Sequence, residues 1–193
     1  MKKIIALLLV AVMAVSVFAA CGSNGGDTNN GGANGAAAPA DSIEVLNTIW
    51  GAYTDEDKLF SIVGGDGEDM SMDAPGKVDD LENLQYTVYV PAEEVINVAD
   101  AAFMQHAMNA NTFSCGVMKL AEGVDAETFA TTMKDAILNN QWMCGFPEKL
   151  VIAQIADNYI LVAFGLNDAI APFQTKLAEA YADANVLFVE DIL

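Results

Sequence analysis

The sequence contains no arginine and only one histidine. Its basic residues are all lysines, and Asp and Glu outnumber them by 27 to 8, so the formal net charge is −19. Proteins that bind nucleic acid obtain much of their affinity from cationic side chains that neutralise phosphates. A chain this acidic therefore suits neither nucleic acid nor an anionic membrane surface reached through a basic patch. The charge favours solubility, or the attraction of cations or cationic peptides.

The scarcity of histidine also limits enzyme chemistry. His106 is the only imidazole available to a Ser-His-Asp arrangement, and no G-x-S-x-G motif accompanies it. It lies within residues 104–108 (MQHAM), whose sulfur and nitrogen atoms are typical soft ligands for copper. We predict a helix from Pro91 to about Met108, and on a helix the two methionines of this string face away from the histidine. The sequence thus predicts no catalytic residue, no copper site and a partly buried histidine.

The first 21 residues have the pattern of an export signal. Lys2 and Lys3 precede a run of about fifteen almost entirely apolar residues, which is short for a membrane-spanning helix of about twenty. Two alanines then precede Cys21, and the segment 18–21 (FAAC) resembles a bacterial lipobox, in which the cysteine thiol receives a diacylglycerol. We expect residues 1–20 to be the signal peptide and Cys21 to be the site of lipid attachment. The alternatives are an ordinary signal peptide with a chance cysteine and an uncleaved anchor helix.

Residues 22–40 contain only Gly, Ser, Asn, Asp, Thr, Ala and Pro, so they lack the side chains that build a core. We expect a flexible tether with a root-mean-square reach of roughly 25 Å. Two acyl chains on Cys21 would give stable attachment to the membrane. The sequence therefore predicts a lipidated cysteine and tether at 21–40, followed by a single domain at 41–193 on the extracytoplasmic face of the cell membrane.

Two cysteines remain within the predicted domain. Cys115 is predicted near the start of a strand, and Cys144 just past the end of the helix that returns antiparallel to it, so the two residues could meet. Export would permit a disulfide there, and closing a loop of about thirty residues would stabilise the fold by roughly 3–4 kcal/mol. The alternative is two free, buried thiols that behave as small apolar side chains.

Residues 64–77 (GGDGEDMSMDAPGK) are predicted to form a loop. The loop carries four carboxylates that could serve as oxygen ligands for calcium. They belong to Asp66, Glu68, Asp69 and Asp73. The glycines come too early for an EF-hand, and the glutamate expected at position 12 is missing. A solvated acidic loop is therefore favoured over a calcium site, and no other cofactor is indicated.

Hydrophobic periodicity is clearest after Thr112. It predicts a strand, a helix, two strands joined by a tight turn, a helix with Pro172 in its first turn, and an edge strand. These elements occupy 112–120, 125–139, 150–155, 159–164, 168–185 and 186–189. The β-α-β-β-α-β order predicts an α+β fold, namely a two-layer, ferredoxin-like core over about 112–190 with both helices on one face of an antiparallel sheet.

An N-terminal extension of helices and strands is expected to flank this core. Its elements are a helix capped by Asp41, a short strand at 59–63, a strand at 85–90 and the helix from Pro91.

Residues 125–137, 146–148 (FPE) and 157–162 (DNYILV) also carry a family resemblance. Through them the stretch from about Thr112 to Asp183 resembles an uncharacterised family of lipoproteins from clostridial-type Gram-positive bacteria. Members of that family join a lipobox and a short tether to one small α/β domain of unknown function. The resemblance implies lipid anchoring and a small α/β domain, and it implies no catalytic residues.

These observations favour a membrane-anchored binding or accessory module, with a protein, a peptide or a cell-wall component as its ligand. An exposed aromatic pair would support that function, and the candidates are Trp142 with Phe146 and Tyr86 with Tyr89, unless they pack into the core. The alternative is a structural or partner-binding subunit of an envelope complex, which would present a large flat apolar surface. An envelope enzyme is disfavoured because the sequence has no recognisable nucleophile and a single histidine.

Overall fold

An antiparallel sheet of eight strands organises the part of the chain that the structure describes. The computed structural model describes residues 38–58, 60–67 and 70–192, and residues 37–193 form one compact unit. The strands are β1 (Ile62–Gly64), β2 (Ser71–Met72), β3 (Gly76–Lys77), β4 (Val98–His106), β5 (Phe113–Leu120), β6 (Lys149–Ile155), β7 (Tyr159–Gly165) and β8 (Asn185–Asp191). The predicted signal peptide, Cys21 and most of the tether lie outside the described residues.

Four helices accompany the sheet within the described residues. They are α1 (Ser42–Gly51), α2 (Leu84–Thr87), α3 (Ala126–Leu138) and α4 (Asn167–Ala180), and 3₁₀ turns lie at Leu81–Asn83, Ala92–Asn97 and Ala110–Thr112. Among the described residues, every helix is too short or too polar to cross a bilayer.

The strands lie side by side in the order β2-β1-β4-β5-β7-β6-β8, with β3 paired to β4, and every pair is antiparallel. Alternate side chains of a strand point to opposite faces, and both faces of this sheet are covered. One face packs against α3, Trp142 and the segment around α2, and the other packs against α1 and α4. The domain therefore has three layers, with helices on both sides of the sheet.

Most of the elements predicted after Thr112 are confirmed. Asp125 caps α3, because its carboxylate accepts a hydrogen bond from the backbone N–H of Thr128 at 2.8 Å. The hairpin of β6 and β7 and the edge strand β8 also lie where the sequence places them. Pro172, in contrast, lies inside α4, which begins at Asn167, and not in its first turn.

The predictions for residues 85–108 are wrong. The first half of the strand predicted at 85–90 belongs to the short helix α2, and the second half is irregular. The helix predicted from Pro91 is a 3₁₀ turn followed by β4. Alanine and methionine in this segment favour a helix, but pairing with β5 over the whole strand outweighs that preference. Ala101 and Ala102 point to opposite faces and both are buried, so β4 lacks the alternation typical of a half-exposed strand.

The ferredoxin-like core is not confirmed, although the order of elements after Thr112 is β-α-β-β-α-β as predicted. In that fold the last strand would pair with β5, whereas β8 pairs with β6 and the free side of β5 is occupied by β4. The crossovers β5-α3-β6 and β7-α4-β8 each move two strands across the sheet, toward the same edge. Their first strands, β5 and β7, run in opposite directions. Right-handed crossovers then place α3 and α4 on opposite faces, so the predicted two layers are three.

Candidate functional site

Two loops lie together at one end of the sheet. Residues 107–112 connect β4 to β5, and residues 140–148 lead from α3 into β6. Phe113 pairs with Gly165, and Gly165 pairs with Lys149, so the start of β5, the start of β6 and the end of β7 share this end. We call residues 107–112 and 140–148 the tip loops.

Two asparagine side chains clamp the tip loops to each other. Asn111 Nδ2 donates to the carbonyl oxygens of Met143 at 2.8 Å and Gly145 at 3.1 Å. Asn109 Nδ2 donates to the carbonyl oxygen of Cys144 at 3.2 Å, and its Oδ1 accepts from the N–H of Asn111 at 3.0 Å. The carbonyl oxygens of three consecutive residues, 143–145, thus accept hydrogen bonds from the side chains of Asn109 and Asn111. These bonds fix the backbone of the longer tip loop.

The clamped backbone has an unusual conformation. Cys144 has φ of 61° and Gly145 has φ of 125°, and positive φ is costly for residues other than glycine. A Cβ atom at Gly145 would lie 3.2 Å from Asn109 Nδ2, so a side chain there would press on the clamp. Strained backbone of this kind persists only where the surroundings hold it, and it is enriched at functional sites.

His106 anchors the shorter tip loop. Its Nδ1 accepts hydrogen bonds from the backbone N–H groups of Met108 at 3.0 Å and Asn109 at 3.2 Å, and its ring packs 5.0 Å from that of Phe60. Met104 is fully buried while Met108 is exposed. The helical geometry on which we based the expectation of no copper site at residues 104, 106 and 108 is not present, because residues 98–106 form β4.

The tip loops and the adjoining start of α4 expose large apolar side chains. Met108 is 88% exposed, Met143 79% and Phe146 57%. Leu166 adds a further exposed side chain, and its backbone N–H donates to the Thr112 carbonyl oxygen of a tip loop at 3.0 Å. Single exposed apolar residues are ordinary on protein surfaces, but several on one rigid feature indicate an interaction surface. The tip loops therefore combine a fixed backbone with apolar side chains that face solvent.

The predicted aromatic pairs divide between core and surface. Trp142 is buried, and its ring packs edge-on against Tyr89 at 5.1 Å and against Phe164 at 5.3 Å. Its Nε1 has no hydrogen-bond partner among the described residues. Phe146, the predicted partner of Trp142, is exposed, and so is Tyr86, the predicted partner of Tyr89. Neither pair forms an exposed aromatic patch, and the apolar surface at the tip consists mainly of methionine and phenylalanine.

The chain enters the domain at the opposite end of the sheet. Tyr159 Oη donates to the carbonyl oxygen of Pro39 at 2.8 Å, and Lys119 Nζ donates to that of Ala40 at 3.3 Å. Lys119 and Tyr159 pair with each other where β5 ends and β7 begins. At about 3.3 Å per residue, the length of β5 separates this point from the tip loops by roughly 23 Å.

The structure assigns Asp66 a role within its own loop. Its carboxylate accepts from the N–H of Asp79 at 2.6 Å, the N–H of Asp80 at 3.3 Å and Asn83 Nδ2 at 2.7 Å. Burial raises the pKa of Asp66, but these hydrogen bonds outweigh burial and hold the pKa below its usual value. The Asp66 carboxylate therefore braces the loop against residues 79–83.

Of the other predicted calcium ligands, Asp73 lies within the described residues. Glu68 and Asp69 lie outside the described residues. Asp73 is exposed with φ of 55°, and its carbonyl oxygen accepts from Trp50 Nε1 at 3.1 Å. No group of three His, Cys, Asp or Glu side chains suited to a metal occurs in the part of the chain that the structure describes.

Both described cysteines are free. Cys115 is fully buried on the face of the sheet covered by α1 and α4, whereas Cys144 is exposed in a tip loop. Burial raises the pKa of the Cys115 thiol well above its usual value. Within the part of the chain that the structure describes, both thiols are thus free and no disulfide occurs. Only Cys115 is buried, because Cys144 lies in a surface loop and not against β5.

Comparisons with protein-family models, curated proteins and solved structures find no match to this chain. The site is therefore defined by its own geometry, as a clamped apolar loop surface on an α+β domain. Its exposed apolar side chains could bind an apolar or mixed surface by contact.

Proposed function

We propose that this protein is a lipid-anchored extracytoplasmic binding module and that its tip loops contact the ligand. The observation that carries the proposal is the exposure of Met108, Met143 and Phe146 on a backbone clamped by Asn109 and Asn111. A rigid loop loses little conformational entropy when it binds, and exposed apolar side chains gain from leaving water. Both properties favour a contact surface.

The point where the predicted tether enters the domain and the tip loops lie at opposite ends of the sheet. The predicted lipobox ends at Cys21, and the tether joins the domain beside Tyr159, at the end of the sheet away from the tip loops. Entry of the tether at that end leaves the tip loops free to contact a wall component or another envelope protein at the extracytoplasmic face of the membrane. The resemblance to lipoproteins of Gram-positive bacteria supports the same location.

The anchor is tested by labelling the full chain in a bacterial host with an alkyne-bearing fatty acid. The wild-type chain should acquire the label and sediment with membranes, whereas Cys21→Ser should lose both the label and the membrane association. Cys144→Ser is the matched control and should behave like wild type. A labelled Cys21→Ser chain, or an unlabelled wild-type chain, would refute the lipidation of Cys21.

The binding surface is tested with the full chain in lipid nanodiscs and with two separate probes. The probes are purified cell-wall fragments and detergent-solubilised envelope proteins from the producing organism, and binding is measured by biolayer interferometry. We expect one probe to bind, and the double variant Met143→Ser/Phe146→Ser to weaken that binding at least tenfold. Ile96→Ser removes an exposed apolar side chain just before β4, at the end of the sheet away from the tip loops, and should leave the binding unchanged. Equal loss in both variants would contradict a role for the tip.

A further inference from the structure

The outer edge of β8 is a second surface with the properties of a binding site. This strand is the last in the sheet and pairs only with β6 among the described residues. It extends over Asn185–Asp191, so a row of backbone N–H and C=O groups faces solvent along its outer side. Such an edge is a template on which another extended chain can form hydrogen bonds.

A β-bulge turns two valines of β8 toward the same face. Ile152 pairs with Phe188 but Ala153 pairs with Val186, so β8 has one extra residue at this point. Val186 and Val189 are three residues apart, yet both lie opposite residues that face α4, namely Ala153 and Val151. Their side chains are 50% and 46% exposed.

A groove beside these valines adds an apolar wall. It runs between β8 and the last turns of α4, has a volume of about 160 Å³, and is lined by residues that include Val151, Leu177, Ala178 and Tyr181. A chain added to β8 would place alternate side chains on this face. Every second residue of that chain would therefore contact Val186, Val189 and the groove.

The charge around the edge indicates the kind of partner. The acidic residues of segment 177–192 are Glu179, Asp183, Glu190 and Asp191, and the segment contains no basic residue. The nearest basic groups are already engaged, because Lys176 pairs with Glu179 at 3.1 Å, Lys149 pairs with Asp191, and Lys134 lies over the Phe188 ring at 4.9 Å. Among the described residues, Asp183 and Glu190 are the carboxylates of this segment that lie outside these ion pairs. A second copy of this chain would bring the same acidic edge and a net charge of −19, and like charges repel.

We propose that the β8 edge binds an extended cationic peptide segment as an additional antiparallel strand. Backbone hydrogen bonds to β8 give the affinity, and apolar side chains at alternate positions fill the groove. Lysine or arginine at the other positions points to the α3 face, where Glu190 lies opposite Leu150. The partner is thus a basic, strand-forming stretch of another protein or a cationic peptide. This surface is independent of the tip loops.

The proposal is tested with the full chain in nanodiscs and three capped seven-residue peptides. The first peptide alternates valine and lysine, the second is the same peptide N-methylated at alternate residues, and the third has glutamate in place of lysine. Titration by fluorescence anisotropy should show binding of the first peptide alone, weakening at least fivefold between 50 and 300 mM salt, as expected for charge complementarity. Hydrogen exchange of the β8 amides should slow when that peptide binds.

Two variants locate the binding to β8. Val186→Thr/Val189→Thr keeps the β-branched shape that favours a strand but removes apolar contact, and it should weaken binding of the valine–lysine peptide at least fivefold. Ile96→Thr is the matched control at an exposed site outside the sheet and should bind as wild type. Agreement between the β8 hydrogen-exchange profiles of wild type and the double variant, both without peptide, certifies that the strand is intact in the variant.

Three results would overturn the proposal. Equal binding of the N-methylated peptide would show attraction by charge without strand pairing. Equal loss in Ile96→Thr would remove β8 as the location. A concentration-dependent dimer of wild type in sedimentation, lost in Val186→Thr/Val189→Thr, would make a second copy the occupant of the edge.

Discussion

Asn111 Nδ2 donates to the Met143 carbonyl oxygen at 2.8 Å, and this bond joins two loops that are 32 residues apart in the sequence. The same atom donates to the Gly145 carbonyl oxygen at 3.1 Å. One side chain thus holds the loop that carries the exposed Met143 and Phe146. The shape of the tip surface depends on this contact more directly than on the hydrophobic core.

Removing the clamp should loosen the tip without unfolding the domain. Asn111→Ala loses two hydrogen bonds of about 0.5–1.5 kcal/mol each, so we expect the free energy of unfolding in urea to fall by about 1–3 kcal/mol. The Cys144 thiol should also react faster with a maleimide in the folded protein. Asn185→Ala, at an exposed position on β8, should change neither quantity by more than about 0.5 kcal/mol or twofold. An Asn111→Ala protein with unchanged stability would contradict the clamp.

The two described thiols should differ strongly in reactivity. Cys144 is exposed, whereas Cys115 is buried with a raised pKa, and the thiolate is the reactive form. We expect a single fast thiol in the folded chain that Cys144→Ser removes and Cys115→Ser retains, with Cys115 reacting only in denaturant. If no thiol reacts quickly until a reductant is added, the chain instead contains a Cys115–Cys144 disulfide.

Acid should weaken the loop that Asp66 braces. The pKa of Asp66 in the folded protein lies below its ordinary value of 3.8, so its contribution to stability is complete above about pH 4 and is lost as the pH falls through the folded-state pKa. Asp66→Asn should therefore lower Tm at pH 7, and the difference from wild type should shrink toward pH 2.5. Asp157→Asn, in the turn between β6 and β7, is the control for charge removal. A constant difference across the pH range would refute the assignment.

Gly165 should tolerate no side chain. A Cβ atom there would lie 2.3 Å from the Thr112 carbonyl oxygen and 2.9 Å from the Phe113 Cα, where β7 passes the start of β5. Gly165→Ala should cost about 1–3 kcal/mol or more of unfolding free energy because backbone must move. Gly51 has nothing within 4 Å of its Cβ position, so Gly51→Ala in α1 should be neutral or stabilising by up to about 1 kcal/mol. Similar losses in both variants would contradict this close approach.

The parts of the fold that local chemistry decides could be predicted from the sequence. Asp125 before an apolar stripe indicated α3, and the Asp157-Asn158 turn between two apolar runs indicated the β6–β7 hairpin, because caps and turns depend on neighbouring residues. The strand β4 could not be predicted in this way, because its alanines and methionines favour a helix and only pairing with β5 makes it a strand. That error left the side of β5 apparently free for β8, and the wrong strand order followed from it.

The tip loops were only partly visible in the sequence. Trp142 and Phe146 indicated the region, but the sequence could not show that Trp142 is buried and Phe146 exposed. Whether an aromatic residue in a connection packs or protrudes depends on residues distant in sequence, here Tyr89. The Asn109 and Asn111 contacts join loops far apart in sequence, and no local pattern indicates them. Two asparagines before a strand, together with a glycine in an apolar connection, were the only available signal.

The most direct test of the account uses Cys144 as a reporter on intact cells. A membrane-impermeant maleimide bearing a photoreactive group is attached to wild-type cells, and cross-links are read by electrophoresis after irradiation. The control carries Cys144→Ser together with Glu127→Cys, which moves the reporter to an exposed position on α3. We predict a discrete adduct from Cys144 that Met143→Ser/Phe146→Ser abolishes and the α3 reporter does not give. Labelling only after lysis, or the same adducts from both reporters, would contradict an exported binding module that acts through its tip loops.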